Sequence, residues 1–293
     1  GFQSSYFYNS KRPTMVIDAH CHIVPPSFRL KRSELAAADA TFAALFSRPD
    51  SRLAIAEELV EAMDRDGVDR AVVMGLGWTD RQIATEANDY LIQAASDYPD
   101  RLTGFCSVNP AWGKAALKEV ERCAAAGLKG IGELHPDSQR IDIADKKSMA
   151  PVMDLAQSLE LPVLVHSSEP VGHQYPGKGN TTPEKLYKLI TNFPDNTIIC
   201  AHWGGGLPFY ALMPEVPKVL ENVYFDSAAS PFLYSPDVFT KVAELAGVEK
   251  VLFASDFPLM EPARPLKEAH GLDMNPDDKQ RILGENAARL LGL

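Results

Sequence analysis

The chain has 293 residues, of which 45% are hydrophobic and 23% charged, a composition typical of an ordinary globular protein. Its 29 lysine and arginine residues against 39 aspartate and glutamate residues give a formal charge of −10, which argues against nucleic acid or an anionic membrane as the main partner. No apolar stretch approaches the roughly 18 residues of a membrane span, and the four cysteines form no CxxC pair, which excludes a thiol zinc site or redox motif.

Residues 1–14 are polar and aromatic and lack the apolar core of a signal peptide. Because residue 1 is glycine rather than methionine, we expect part of this leader to be foreign to the natural protein. The rest of the sequence contains no low-complexity segment or composition shift that would mark a linker. We therefore predict that residues 15–293 form a single domain.

Eight short apolar runs follow one another along the chain and predict eight strands. In chain order they are Met15–His22, Arg70–Gly77, Leu102–Asn109, Leu128–His135, Pro162–Ser167, Thr197–His202, Val223–Ala228 and Lys250–Asp256. Most of the repeating units are near the roughly 31 residues per unit of a (β/α)8 barrel. Strands this apolar on both faces are typical of a parallel sheet that helices cover.

Amphipathic segments lie between these runs and predict helices, because apolar residues recur three or four positions apart. They include Arg52–Asp66, Gln82–Tyr98, Lys114–Ala126, Lys146–Leu159 and Pro183–Phe193. Gly67 and Gly127 each stand between a helix and the next strand, where a left-handed backbone is needed. The alternation predicts an α/β fold, a single (β/α)8 TIM barrel. A doubly wound open sheet is the alternative, but it calls for a glycine-rich phosphate turn where this chain has DAHCHI.

Two long connections would lie over the same end of such a barrel. Residues at about 24–51 are interpreted as an insertion that follows the first strand, and residues 167–183 form a loop rich in glycine and proline after the fifth. Because barrel enzymes build their sites at the carboxyl ends of the strands, both connections are expected to lie near a site. His173 in the second connection is a candidate substrate contact.

Ionisable residues recur where the predicted strands end. These residues are His20, His22, Glu133, His135, His166, His202 and Asp256. Each of them taken alone is explained as a hydrogen-bonded structural residue or a turn cap, but together they are hard to explain without a shared centre. Neutral imidazoles with a few carboxylates suit Zn²⁺ or another divalent transition metal, whereas Ca²⁺ would need more oxygen ligands.

Four motifs, in the order VIDAHCHI, LPVLVHSSE, ICAHWGG and VLFASDFP, resemble the amidohydrolase superfamily. More closely they resemble its amidohydrolase-2 branch, which includes the aminocarboxymuconate-semialdehyde decarboxylase group, and the ending GENAARLLGL is similar too. The resemblance runs from about residue 14 to the C-terminus and implies a distorted, metal-dependent TIM barrel. It implies that His20, His22, His166 and Asp256 are metal ligands, with His202 beside the metal as an acid/base or polarising residue.

The fourth predicted strand ends in GIGELHP, which resembles the metal-bridging glutamate of TatD-like hydrolases. If Glu133 bridges two ions, the resemblance implies that His20, His22 and Asp256 hold one ion and that His166 and His202 hold the other. If it does not, three histidines and one aspartate hold a single ion. We expect Glu133 to point into the barrel mouth because Ile131, two residues earlier, suits the packed interior. The expected ion is zinc, present once or twice.

The predicted function is hydrolysis of an amide, lactone or ester bond in a small molecule. A bound metal lowers the pKa of water toward about 7, Asp256 would take the proton of that water, and His202 would polarise the scissile carbonyl. The alternative is non-oxidative decarboxylation of an unsaturated or aromatic acid, with His202 steering the proton and a cation from Arg29, Lys31 or Arg264 receiving the substrate. A barrel kept only as a binding module would be expected to have lost a ligand, and none is missing.

Trp203 and Arg264 join His173 as candidate substrate-binding residues, because they stand close to the predicted ends of the sixth and eighth strands. The predicted partner is a small-molecule substrate, with no nucleic acid and no membrane. We also expect a cytoplasmic location, since the cysteines are interpreted as buried and reduced, and a homodimer.

Overall fold

The structure is a computed structural model that describes residues 15–293. The predicted leader, residues 1–14, lies outside the described residues. The division of the chain into a leader and one domain with an insertion at 24–51 therefore stays a prediction.

Eight short strands form the centre of the molecule, and each lies within one of the eight runs predicted from the sequence. They are β1 (Ile17–His22), β2 (Arg70–Met74), β3 (Leu102–Phe105), β4 (Ile131–Leu134), β5 (Val163–Val165), β6 (Ile198–Cys200), β7 (Val223–Asp226) and β8 (Val251–Leu252). All pair in parallel, in the order β1-β2-β3 and β4-β5-β6-β7-β8.

The two sheets meet at both edges and so close a barrel. Cys21 of β1 forms a parallel bridge with Phe257, which lies beyond β8, and Cys106, just beyond β3, bridges to Ile131 of β4. At the second junction the backbone N–H of Gly132 donates to the carbonyl of Cys106 over 2.9 Å. The predicted α/β fold, a single TIM barrel, is confirmed, and the open doubly wound alternative is wrong.

Fifteen α-helices occur among the described residues. They are α1 (Ser27–Leu30), α2 (Arg32–Ala38), α3 (Ala40–Phe46), α4 (Ala56–Asp66), α5 (Arg81–Asp97), α6 (Lys114–Ala125), α7 (Pro136–Gln139), α8 (Lys146–Ser158), α9 (Pro183–Asn192), α10 (Val216–Val219), α11 (Ser230–Leu233), α12 (Asp237–Ala246), α13 (Ala263–His270), α14 (Pro276–Gln280) and α15 (Asn286–Leu291). The five helices predicted from periodicity correspond to α4, α5, α6, α8 and α9. Gly67 has φ of 80° and Gly127 has φ of 101°, the left-handed backbone that the sequence predicts at helix ends.

The strands divide their buried side chains between two apolar layers. One layer, which includes Ile17, Ala19 and Val72, fills the inside of the barrel and is joined from below by α15. The other layer, which includes Cys21 and Val73, packs against the surrounding helices. Because the register of β1 on β2 shifts between Asp18 and Cys21, the alternation of inward and outward side chains changes just before the end of this strand.

The stretch after β1, which the sequence analysis interprets as an insertion, folds as α1, α2 and α3. Its aromatic side chains pack on Trp78, beyond the end of β2: the rings of Phe28 and Phe42 each lie 6.1 Å from its ring. All three side chains are completely buried. This separate apolar cluster holds the end of α3 at the mouth of the barrel.

Candidate metal centre

Three of the predicted ligands meet at the carboxyl ends of the first and last strands. The Nε2 atoms of His20 and His22 lie 3.0 Å apart. The Oδ1 atom of Asp256 lies 3.6 Å from the first nitrogen and 3.3 Å from the second. The three side chains are buried, and their donor atoms converge on one point.

Glu133 lies between these residues and a second group at the ends of β5 and β6. Its Oε2 atom is 3.3 Å from the Nε2 atoms of both His20 and His22. Its Oε1 atom is 2.9 Å from Nδ1 of His166 and 3.9 Å from Nε2 of His202. Glu133 therefore points into the mouth, as predicted, and its two oxygens face two different sets of histidines.

The donor atoms of His20 and His22 lie at spacings from each other, from Asp256 and from Glu133 that are close to those around a divalent transition metal. Nitrogen and oxygen ligands lie about 2.1 Å from Zn²⁺, so neighbouring ligands of one ion are separated by about 3.0 to 3.4 Å in octahedral or tetrahedral geometry. The two histidine nitrogens lie 3.0 Å apart, and their distances to the oxygens of Asp256 and Glu133 run from 3.3 to 3.6 Å. A chemically suitable set of two imidazoles and two carboxylates is thus already assembled.

His166 belongs to the second group, with Glu133 and His202, rather than to the first. The single-ion arrangement of three histidines and one aspartate is therefore not the grouping seen in this structure. The arrangement implied for a bridging glutamate agrees with the two groups, and the number of ions stays a prediction.

A buried carboxylate that the sequence analysis did not single out orients two of these histidines. Asp226, at the end of β7, accepts hydrogen bonds from Nδ1 of His20 over 2.8 Å and from the backbone N–H of His202 over 3.0 Å. With Nδ1 bound in this way, His20 presents the lone pair of Nε2 to the centre. The available signal was the same as for the others, since VYFD also ends an apolar run on an acid.

The chain bends sharply where its site residues leave the strands. His202 has φ of 53° and Asp256 has φ of 71°, in the left-handed region that is uncommon outside glycine. Such a backbone is kept only where the surrounding structure over-determines it. Asp18 contributes to that support, because its buried carboxylate accepts hydrogen bonds from the backbone N–H and the hydroxyl of Ser255.

The glycines after His202 allow strands β5 and β6 to end side by side. Gly205 has φ of 60°, and a Cβ atom added there would lie 2.2 Å from the carbonyl oxygen of Ser168. Only glycine permits this approach. It brings His202 next to His166, with their ring centroids 5.0 Å apart.

The clustered charges raise the pKa values of His20 and His22 and lower the pKa of the Glu133 carboxyl. Burial disfavours the imidazolium form of His22, but the carboxylates of Asp256 and Glu133 outweigh it and raise the pKa from 6.5 to about 9. The same balance raises the pKa of His20 well above its ordinary value, chiefly through Asp226 and Glu133. Burial opposes ionisation of Glu133, yet the histidines hold the pKa of its carboxyl well below the usual range. A metal ion entering this site must therefore displace protons from the histidines.

His135 is also part of this end of the barrel. Its ring stacks on that of His166 with centroids 4.3 Å apart, and its Nδ1 lies 3.1 Å from Oγ of Ser138. Burial, with the neighbouring histidines, lowers the pKa of His135 from 6.5 to about 3, so this ring is neutral.

A cavity of about 710 Å³ opens above the metal centre, a size suited to a small-molecule ligand. Its floor contains the charged and imidazole groups, and its walls come from the connections after several strands. The apolar wall residues include Leu45, Phe46, Leu76, Phe232, Leu233 and Leu259. Polar wall residues include Arg48, Arg52, His173 and Tyr175.

The three predicted substrate contacts differ in where they lie. His173 lines the cavity as expected. Trp203 does not: it is completely buried, its indole N–H donates to Oγ of Ser230 over 2.9 Å, and its ring packs on that of Phe239. The sequence suggested a contact because Trp203 follows His202, but the left-handed turn directs the indole into the core.

Arg264 also lies outside the cavity lining, with its guanidinium 5.1 Å from the ring of Phe232. Arg29, considered as a cation for a substrate acid, donates instead to the carbonyl of Leu53 and to Glu58. Among the described residues, Arg48 and Arg52 are the cations that line the cavity. The sequence analysis missed them because nothing in a surface loop's composition shows which arginine borders a cavity.

No helix in residues 15–293 is both long and apolar enough to cross a membrane. The predicted cytoplasmic location and homodimer stay predictions.

The chain is similar to known proteins over most of its length. A sequence model of one protein family, described as amidohydrolase, matches residues 17–293. A 2-amino-3-carboxymuconate-6-semialdehyde decarboxylase from Dictyostelium discoideum is 23% identical over 275 residues, which cover 80% of this chain and 76% of the relative.

Solved structures share the fold at low sequence identity. The 5-carboxyvanillate decarboxylase of Sphingomonas paucimobilis superposes with a TM-score of 0.79 at 18% identity, covering 96% of this chain and all of that one. The 5-carboxyvanillate decarboxylase of Novosphingobium aromaticivorans, solved with manganese and 4-hydroxy-3-methoxy-5-nitrobenzoic acid, has a TM-score of 0.78 at 19% identity and 96% coverage of both chains.

Proposed function

The chain belongs to the amidohydrolase family, and from this premise we propose that it is a metal-dependent carboxy-lyase. Its substrate would be a small aromatic or unsaturated carboxylic acid, from which it removes carbon dioxide without oxidation. Hydrolysis was the first expectation from the sequence, and decarboxylation the alternative. The relatives named above support the alternative, because they are decarboxylases of acids of this class.

The observation that carries the proposal is the cavity itself. Its floor holds the imidazole and carboxylate donors, and its walls carry the aromatic rings of Phe46 and Phe232 and the aliphatic side chains of Leu76 and Leu259. A planar apolar acid fits such a site with its carboxyl group down and its ring between the walls. Arg48 and Arg52 also line the cavity, where each is paired with a carboxylate, Asp50 and Glu261 respectively.

A divalent ion would be held by His20, His22, Asp256 and Glu133. When bound, it would supply Lewis-acid polarisation of the substrate carboxylate or an adjacent oxygen. The manganese in a structural relative makes Mn²⁺ a candidate beside Zn²⁺. Imidazole and carboxylate donors suit either ion, so the donor set alone does not select between them.

The chemical step needs a proton at the carbon that loses its carboxyl group. The bond between this carbon and the carboxyl carbon breaks, its electron pair stays on the substrate, and a proton then replaces carbon dioxide. His202 is suited to steer that proton, because its Nδ1 is held 2.8 Å from the carbonyl oxygen of Ala228 while Nε2 faces Glu133 and the cavity. The protonated ring would donate from Nε2.

The test is a two-arm screen of protein loaded with manganese or zinc. One arm contains lactones and amides, and the other contains phenolic and unsaturated carboxylic acids. We expect carbon dioxide release in the second arm, with one deuteron on the former carboxyl-bearing carbon when the reaction is run in deuterium oxide. Turnover in the first arm without carbon dioxide release in the second would contradict the proposal and restore hydrolysis.

A matched pair of variants locates the proton donor. His202→Asn should retain stoichiometric metal and lose carbon dioxide release, whereas His270→Asn, at an exposed position on α13, should behave as the parent enzyme. Full activity in His202→Asn would reassign proton transfer to another group.

A further inference from the structure

Lys178 lies in the loop between β5 and α9 and is buried, although it pairs with no carboxylate among residues 15–293. The residue is only 6% exposed. Its Nζ donates to the carbonyl oxygens of Val171 and His173, over 2.9 Å in each case. Lysine is rarely buried unless its charge is paired, and here the partners are main-chain atoms of its own loop. The loop is therefore wrapped around this ammonium group.

These two bonds hold a segment of the loop that has no other ties. Residues 170–174 belong to no helix or strand. Within the described part of the chain they make no hydrogen bond except those to Lys178. Removal of the ammonium group should therefore free this segment.

The same loop forms one side of the cavity. His173, Tyr175, Pro176 and Gly177 line the cavity, whereas Lys178 does not. Nζ of Lys178 lies 5.6 Å from the centre of the Tyr175 ring, so the ammonium group lies directly behind the wall. Opening of the loop would remove this side of the cavity.

The backbone carbonyl of Lys178 contacts a residue of the metal centre. Its oxygen lies 3.2 Å from Nε2 of His166 and also accepts from the hydroxyl of Ser168. Because a carbonyl oxygen can only accept, Nε2 carries the hydrogen of this bond. An ion that binds His166 must then use Nδ1, which already lies 2.9 Å from Oε1 of Glu133. Lys178 thus contacts the cavity wall with its side chain and His166 with its main chain.

We propose that Lys178 is a positioning residue that couples closure of the loop over the cavity to metal binding at His166. While Nζ holds the carbonyls of Val171 and His173, the loop is closed, and the carbonyl of Lys178 keeps Nδ1 of His166 directed at the second group of donors. Coupling between two binding events is reciprocal, so a metal ion should in turn stabilise the closed loop. This coupling is independent of which reaction the centre catalyses.

Hydrogen–deuterium exchange of the parent protein tests the coupling without any substitution. The backbone N–H of Lys178 donates to the carbonyl of Tyr175 over 3.2 Å, so its exchange reports opening of the loop. Addition of Mn²⁺ to the metal-free full chain should slow exchange in residues 170–178 by about tenfold. Exchange in α5, which is the internal reference, should stay the same.

A set of lysine replacements tests the role of the ammonium group. Lys178→Met keeps an unbranched side chain without the charge, so exchange in residues 170–178 should quicken and Mn²⁺ affinity, measured by competition with a chelator, should fall, each by about tenfold. Lys178→Arg restores donors for the two carbonyls and should recover most of both effects. Lys185→Met, the matched replacement at an exposed position on α9, should behave as the parent.

Loop exchange that Mn²⁺ does not alter in the parent protein would overturn the proposal, and this measurement decides it even where Lys178→Met does not fold. Faster exchange in folded Lys178→Met at unchanged Mn²⁺ affinity would also overturn it, because the loop and His166 would then be independent. A purely structural role would lower the melting temperature equally with and without Mn²⁺, whereas the coupling predicts the larger loss with Mn²⁺. None of these measurements uses turnover, so failure to release carbon dioxide would contradict the carboxy-lyase alone.

Discussion

The metal centre and the cavity wall above it are built in different ways. Donor atoms of the centre come from the ends of strands, and all of its side chains are buried. The wall comes from connecting segments, where Phe232 is 47% exposed and Leu259 is 62% exposed. His20 is tied to a completely buried carboxylate, Asp226, whereas Arg48 in the wall pairs with Asp50 in an exposed ion pair.

Under the proposed function, the metal centre carries the chemical step and the cavity wall recognises the substrate. The paired strands of the barrel hold their end residues at fixed positions relative to one another. Loss of one metal ligand should therefore also disturb the positions of the other donor atoms. Loop residues at the wall touch a substrate but have few ties to the strands. Replacements at the centre should therefore abolish activity, and replacements in the wall should change which substrate is used.

The largest effect is expected for His20→Ala. Loss of Nε2 leaves the centre with one fewer donor, so metal content should fall far below one ion per chain. Activity should fall by more than the roughly 10²- to 10³-fold cost of a single transition-state donor. Plasma emission analysis and carbon dioxide release measure the two quantities. A variant with full metal content and parental activity would remove His20 from the centre.

Asp226→Asn should have the next largest effect, through a residue that touches neither substrate nor metal. The neutral amide is a weaker acceptor for Nδ1 of His20, and such partners contribute about 10- to 100-fold to metal affinity. Competition with a chelator measures the dissociation constant. Asp273→Asn, an exposed carboxylate replacement, is the control and should bind metal as the parent does. Equal affinity in both variants would show that the contact with His20 contributes nothing.

The next prediction concerns how the melting temperature depends on pH in the protein with and without metal. In the metal-free protein the pKa of His22 is raised from 6.5 to about 9, so its stabilising contribution is complete below 6.5 and is lost as pH rises through about 9. Metal binding releases the same protons and strengthens over that window. The gap in melting temperature between metal-loaded and metal-free protein should therefore widen from about pH 6.5 to about pH 9. A gap that narrows with rising pH would contradict the assigned protonation.

The smallest effect is expected in the wall. Leu259→Ala removes an exposed side chain from the cavity wall, so KM for a productive acid should rise by about three- to tenfold while kcat and metal content stay the same. Leu30→Ala, at a residue that is 90% exposed and lies outside the cavity lining, should leave KM unchanged. A fall in kcat comparable to that of His20→Ala would show that the wall and the centre are not separable.

The amino-acid sequence by itself determined the eight strands and the residues that end them. Apolar runs of this length are local features, and an ionisable residue at the end of such a run is visible in the sequence whether or not its neighbours are known. This is why His20, His22, His166, His202 and Asp256 could be named in advance. Their assembly at one mouth followed from the parallel barrel.

Only the tertiary structure decided how these residues are grouped. The alternation along β4 predicted an inward Glu133 from an inward Ile131, but Ile131 packs in the outer layer. A register shift between Ile131 and Leu134 changes the face of the strand, and Glu133 points inward for that reason. The position of Asp226 likewise depends on contacts across strands, and the direction of the Trp203 side chain depends on a left-handed turn. Side-chain direction at a strand end is set by register and backbone dihedrals that distant segments impose, which residue type and spacing do not encode.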